Sequence, residues 1–121
     1  MIKIAVVEDE PFIQEMYKLK LELSGYKAIT ASNGFEGLEL IKKHKPDLIL
    51  LDIKMPVMSG DEMLTKLRET DWGADIPVII LTNISRDEAP HNLRFLNVKK
   101  YIVKAHYTPT QVIQEIQKIL R

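Results

Sequence analysis

The sequence predicts an α/β fold: a doubly wound, five-stranded parallel sheet with five flanking helices, forming a single domain over residues 1 to 121. Three observations predict it. Five short runs rich in Ile, Val and Leu recur along the chain, amphipathic stretches separate them, and LILL at Leu48 to Leu51 and VIIL at Val78 to Leu81 are apolar at every position. A strand covered by helices on both faces needs that pattern, whereas a sheet with one wet face alternates. The right-handed preference of strand, helix, strand crossovers completes the doubly wound reading.

The elements follow in order. The first strand is Ile2 to Val7. Phe12, Met16, Leu19 and Leu23 recur at helical spacing, Pro11 suits a first turn and Gly25 a stop, so the first helix spans Pro11 to Ser24. Tyr26 to Thr30 is the second strand. Phe35, Leu38, Leu40 and Ile41 mark a second helix, capped by Ser32 or Asn33 and closed before Pro46. Asp47 to Asp52 is the third strand, and Asp61 to Thr70 the third helix, with Met63, Leu64 and Leu67 inward. Ile76 to Thr82 is the fourth strand. A weaker fourth helix covers Ser85 to Leu96, where Pro90 must occupy an early turn or kink it. Tyr101 to Val103 is the fifth strand, and a fifth helix starts at the Thr108 cap and Pro109, with Val112, Ile113, Ile116, Ile119 and Leu120 in one stripe.

Composition narrows the function. Lys and Arg number 17 and Asp and Glu 17, and the two halves are each nearly balanced, so the strong basic excess of a nucleic-acid footprint is absent. The absence of cysteine excludes disulfides, zinc thiolates, iron–sulfur clusters and cysteine nucleophiles, and accords with a cytoplasmic location. No apolar run approaches the roughly 20 residues of a membrane span. Trp72 is expected as a loop anchor, and His44, His91 and His106 lack metal-ligand spacing.

In a sheet of this kind, sites form beyond the carboxyl ends of the strands. That edge receives Glu8, Asp9 and Glu10 from the first strand, Asp52 from the third, Thr82 from the fourth and Lys104 from the fifth. Carboxylates converging at the rim of a low-dielectric core need a cation. An all-oxygen donor set favours a hard ion, and Mg²⁺ accepts one or two carboxylates together with phosphate oxygens. No Gly-rich nucleotide cradle of either common kind is present, so a phosphoryl group must arrive on another molecule. An aspartate can attack such a group to form an acyl phosphate while metal, hydroxyl and ammonium share the charge of its oxygens.

VVEDE at Val6 to Glu10, LLDIKMPVMSG at Leu50 to Gly60, PVIILTN at Pro77 to Asn83 and YIVKA at Tyr101 to Ala105 together resemble the receiver domains of two-component response regulators. The resemblance spans essentially the whole chain, and the D-x-x-M-P-x-x-x-G stretch from Asp52 to Gly60 is its most specific part. It implies a strand order 2-1-3-4-5. It also implies that Asp52 accepts the phosphoryl group, that Glu8 and Asp9 organise Mg²⁺ with Asp52, and that the Lys54 carbonyl completes the protein's ligands. By the same resemblance Thr82 and Lys104 contact the phosphoryl group, and Thr82 and Tyr101 form the switch. Four departures stand out: Glu8 where aspartate is common, Asn83 where alanine is common, Ala105 where proline is usual after the lysine, and no Gly-Ala-Asp within Asp87 to Lys100. A cis bond before a non-proline residue costs about 2.5 to 4 kcal/mol, so the Lys104–Ala105 loop is expected to be trans or strained.

The implied function is a phosphorylation-controlled signalling receiver, taking a phosphoryl group from a sensor histidine kinase or histidine phosphotransfer protein. Its face of fourth helix, fifth strand and fifth helix then switches toward a downstream protein or output domain, or toward a homodimer. Mg²⁺-dependent self-phosphorylation and slow autodephosphorylation are expected, without enzymatic turnover. Two rivals are a phosphate-independent receiver-like interaction domain and an aspartyl-phosphate phosphatase or phosphotransferase. The second carries its nucleophile as D-x-D near the first strand, whereas Asp52 ends the third strand and is followed two residues later by Lys54.

Overall fold

The computed structural model describes residues 1–121. β1 (Lys3–Val7), β2 (Lys27–Ala31), β3 (Leu48–Leu51), β4 (Val78–Thr82) and β5 (Val98–Val103) form one parallel sheet in the order β2-β1-β3-β4-β5. Four α-helices flank it: α1 (Pro11–Leu23), α2 (Gly34–His44), α3 (Gly60–Arg68) and α4 (Pro109–Leu120). No helix is long and apolar enough to cross a membrane.

The uninterrupted apolar strands divide their side chains between two cores. Ile4, Val6, Leu48, Leu50, Ile79, Leu81 and Ile102 face Tyr17 and Leu21 of α1 and Val112, Ile113 and Ile116 of α4. The alternate residues Ala5, Val7, Ile49, Leu51, Val78 and Ile80 face Ile41 of α2 and Met63, Leu64 and Leu67 of α3. The three central strands, β1, β3 and β4, are therefore buried on both sides, and the polar residues at their carboxyl ends emerge at one edge.

Local chemistry explains the helix boundaries. Asn33 Oδ1 accepts from the Glu36 N–H at 2.9 Å and caps α2, which ends at Lys45 in the left-handed region. α4 opens with a reciprocal cap: Thr108 Oγ1 accepts from the Gln111 N–H at 3.2 Å, and Gln111 Oε1 accepts from the Thr108 N–H at 2.8 Å.

Three expectations need correction. The fourth helix does not form: Ser85 to Leu96 contains two 3₁₀ turns, Arg86–Glu88 and His91–Phe95, so the sheet has four α-helices instead of five. Pro90 has no N–H to give to the carbonyl of Arg86, its ring would strike that carbonyl, and Ala89 before it is extended at ψ 148°. β5 begins at Val98, three residues earlier than expected, because an edge strand tolerates Lys99 and Lys100 where a central strand would not. On α1, of the Phe12, Met16, Leu19 and Leu23 stripe that signals the helix, only Met16 packs against the core; Phe12, Leu19 and Leu23 are exposed, at 91%, 53% and 88%, while Tyr17 and Leu21 are buried. Trp72 is partly buried against the α2 and α3 side of the core, as a loop anchor would be.

Candidate functional site

Strand register builds the site. Val7 pairs with Leu51 across β1 and β3, so the next residues, Glu8 and Asp52, leave adjacent strands side by side. Their backbones stay bound to the sheet after the strands end: the Asp52 N–H donates to the Val7 carbonyl at 3.0 Å, and the Glu8 N–H to the Ala31 carbonyl at 3.0 Å. Thr82 pairs with Val103 at the end of β4 and β5, and Lys104 follows directly.

Glu8, Asp52 and Thr82 are the buried polar residues of the molecule, 3%, 7% and 1% exposed. Lys104 Nζ donates to Glu8 Oε1 at 2.7 Å and to Asp52 Oδ2 at 3.2 Å. Each carboxylate has its second oxygen held by backbone: Glu8 Oε2 accepts from the Glu10 N–H at 3.1 Å, and Asp52 Oδ1 from the Ile53 N–H at 2.7 Å. Burial pushes Glu8 above the ordinary carboxylate range, opposed by Lys104 and the Glu10 N–H and reinforced by Asp52. Burial alone would lower Lys104, but Glu8 and Asp52 outweigh it and hold the ammonium above its usual value.

Carboxylate oxygens of Glu8, Asp9 and Asp52 lie within 4.8 Å of one another. Three carboxylates against one ammonium leave a double negative charge around an all-oxygen pocket mouth, a donor set that suits a hard divalent cation such as Mg²⁺. Lys54 and Asp9 share the wall of an adjoining groove of about 510 Å³.

The loop after β3 is shaped for close approach. A Cβ on Gly60 would collide with the Asp52 carbonyl, and the Gly60 N–H donates to the Ile53 carbonyl at 2.8 Å. The glycine of the D-x-x-M-P-x-x-x-G stretch therefore lets the start of α3 fold directly against the aspartate.

On the other side, Thr82 Oγ1 accepts from the Ile84 N–H at 3.4 Å, and the Tyr101 hydroxyl donates to the Ile84 carbonyl at 2.8 Å. Ile84 thus links the two residues. Burial raises Tyr101 above the usual phenol range, with Arg86 opposing and Asp52 adding to the shift. Asn83 is exposed beside Thr82, the chain has no cis peptide bond, so Lys104–Ala105 is trans, and His106 is exposed in the 3₁₀ turn that Lys104 opens.

Of the residues singled out for this site, Glu8, Asp9, Asp52 and Lys104 form one cluster, Thr82 and Tyr101 are joined through Ile84, and Lys54 follows in the loop after β3. Gln14 escaped sequence reading. Its Nε2 donates to the Glu8 carbonyl at 2.8 Å and the Ala31 carbonyl at 3.1 Å, fixing the acidic loop from α1. Its only sequence signal is an amide in the first turn of a helix that follows the acids.

A sheet of this order with an acidic cluster and a lysine at its carboxyl edge defines a class, and comparison with known proteins places the chain in it. Residues 4–117 match the response regulator receiver domain family, and the protein belongs to that family. It is 35% identical over 120 residues to the phosphate regulon transcriptional regulatory protein PhoB of Pseudomonas aeruginosa, covering 98% of this chain and 51% of that one. It is 34% identical over 117 residues to the polar-differentiation response regulator DivK of Brucella anthropi, covering 97% and 94%. The chain therefore spans about half of the first relative and nearly all of the second. Among solved structures it resembles the response regulator TrrA of Thermotoga maritima in complex with Mg²⁺ and BeF, with TM-score 0.83, 34% identity and 98% of each chain covered.

Proposed function

We propose that the 121 residues act as one receiver unit that takes a phosphoryl group onto Asp52. One observation carries the reading: Asp52 is buried among carboxylates, with Oδ1 held by a backbone N–H and Oδ2 facing the Lys104 ammonium. Asp52 Oδ2 attacks the phosphorus of a phosphohistidine on a sensor kinase or phosphotransfer protein; the P–O bond forms as the P–N bond breaks, and the imidazole leaves with the electron pair. Lys104, already between Glu8 and Asp52, stands beside the incoming equatorial oxygens. Glu8, Asp9, Asp52 and the Lys54 carbonyl would hold Mg²⁺, which when bound spreads positive charge over the phosphoryl oxygens. Such a donor carries a cytoplasmic location with it. Water later hydrolyses the acyl phosphate slowly, so the output is binding and not turnover.

The switch runs through Ile84. The Thr82 hydroxyl gives up its long bond from the Ile84 N–H and donates to a phosphoryl oxygen; the loop moves, and Tyr101 loses its acceptor at the Ile84 carbonyl. A coupling of typically 1 to 3 kcal/mol is enough to change the affinity of a downstream protein, output domain or second copy by about tenfold. Because the segment before β5 is two 3₁₀ turns, the switching face is those turns with β5 and α4. Beryllofluoride binding tests the reading: a bound ¹⁹F resonance that needs Mg²⁺ and disappears in Asp52→Asn is expected. No bound resonance at saturating Mg²⁺ would favour the phosphate-independent interaction domain.

A further inference from the structure

The net charge of zero hides a polarised molecule. Glu8, Asp9 and Asp52 gather at the carboxyl edge of the sheet, while each α-helix ends toward the amino edge with basic residues in its last turn. The positive charge is densest beside β1 and β2. Lys3 pairs with Lys27 at the start of those strands, and Lys3 Nζ donates to the His44 carbonyl at 3.4 Å. That bond brings Lys42, Lys43 and Lys45, at the end of α2, to the same corner. Residues 1–3, 22–27 and 42–47 hold five lysines against two carboxylates, Glu22 and Asp47, and Asp47 already accepts from the Lys3 N–H at 2.8 Å. A helix end attracts cations to its last carbonyls, and Lys3 meets that need. Lys27, Lys42, Lys43 and Lys45 are exposed, and none of the five lysines makes an ion pair.

Exposed aliphatic side chains stand beside this charge. The Lys27 N–H donates to the Ile2 carbonyl at 2.8 Å, and the Tyr26 N–H to the Leu21 carbonyl at 3.0 Å, folding the end of α1 back onto the start of β2. Leu23 is 88% exposed there and Ile2 39%. We propose that this corner docks the protein on a membrane surface rich in anionic lipid, with the four exposed lysines among the headgroups and Leu23 and Ile2 entering the interface. A nucleic acid is read by arginine forks and aromatic stacking, whereas the corner has no arginine and its one aromatic, Tyr26, packs against the core. A protein partner fits less well, because lysine is depleted from specific protein interfaces. Docked in this way, the Asp52 edge faces away from the bilayer.

The test uses the whole chain and sucrose-loaded vesicles of phosphatidylglycerol mixed with phosphatidylcholine, read by sedimentation, beside vesicles of phosphatidylcholine alone. Binding to the anionic vesicles that fades as salt rises, and none to the neutral ones, is expected. Lys42→Gln with Lys43→Gln should weaken it about thirtyfold, and Leu23→Ser about fivefold. Lys99→Gln with Lys100→Gln removes the same charge from β5, on the opposite side of the sheet, and should change binding by less than about twofold. Circular dichroism confirms that each variant folds. No sedimentation with anionic vesicles, equal sedimentation with neutral ones, an equal loss in the β5 variant, or native binding by Leu23→Ser would overturn the proposal. So would displacement from the vesicles by a single-stranded oligonucleotide at equal phosphate concentration, which would mark the corner as a nucleic-acid site. None of these readouts involves Asp52, so the phosphoryl acceptor stands or falls separately.

Discussion

Lys104 Nζ lies closer to Glu8, at 2.7 Å, than to Asp52, at 3.2 Å. The ammonium therefore neutralises the first acid of the carboxylate cluster as well as facing Asp52, the proposed acceptor. The Glu8 side chain reaches from the end of β1 to do so.

Lys104→Met removes the one cation from two buried carboxylates. The expected loss is about 2 to 3 kcal/mol at pH 7, below the range for fully buried pairs because the lysine keeps some solvent access. Mg²⁺ should then raise the melting temperature of the variant more than that of the native protein, since the metal takes over the missing charge. Equal Mg²⁺ shifts in calorimetry would show that Lys104 does not govern the charge of the cluster.

Alkaline stability should depend on Tyr17. This side chain is 4% exposed beside the acidic site, and burial, with Glu8 adding, pushes its phenol from 10.0 up to about 12. The folded state holds the proton more tightly than the unfolded state, so the contribution is complete below pH 10 and is lost as pH rises toward 12. About 2 kcal/mol should disappear across that window. Lys104, also held above its usual value, loses its contribution in the same direction above its unfolded value of 10.5. Urea unfolding followed from pH 9 to 11.5 should show a shallower decline in Tyr17→Phe; parallel curves would contradict the shift.

Arg68 anchors the loops that enter β4 and β5. Its guanidinium donates to the carbonyls of Leu96, Gly73, Ala74, Ile76 and Asn97 at 2.8 to 3.3 Å, tying the end of α3 to the entries of β4 and β5. Burial lowers its affinity for the proton, with Asp75 opposing. Arg68→Ala should cost about 2 to 4 kcal/mol by orphaning these acceptors, and Arg68→Lys should recover little, because an ammonium cannot fork across them. Hydrogen exchange at Val98 to Lys100 should accelerate in both variants; unchanged exchange there would show that Arg68 does not anchor the start of β5.

The carboxyl-edge cluster was legible because Glu8, Asp9, Asp52, Thr82 and Lys104 each lie at or just beyond the end of a strand that the apolar pattern marks. Asp52 after LILL and Thr82 after VIIL needed no long-range information. The ion pair of Lys104 with Glu8, separated by 96 residues, did, and so did the carbonyl cage around Arg68. On α1 the periodicity was sound but ambiguous in phase. Phe12, Leu19 and Leu23 form one stripe and Tyr17 and Leu21 another, and only packing against β1 and α4 selects the second. At Ser85 to Leu96, Pro90 lies too far into the segment for a first helical turn, and the cost of a proline there exceeded what Leu93 alone could repay by burial.

The most direct measurement is the intact mass of the protein after incubation with acetyl phosphate, with and without Mg²⁺, alongside folded Asp52→Asn. The expected result is a gain of one phosphoryl group that requires Mg²⁺, is labile to hydroxylamine and is absent from the variant. A phosphoryl group of the same lability on Asp52→Asn would contradict the assignment of Asp52 as the acceptor.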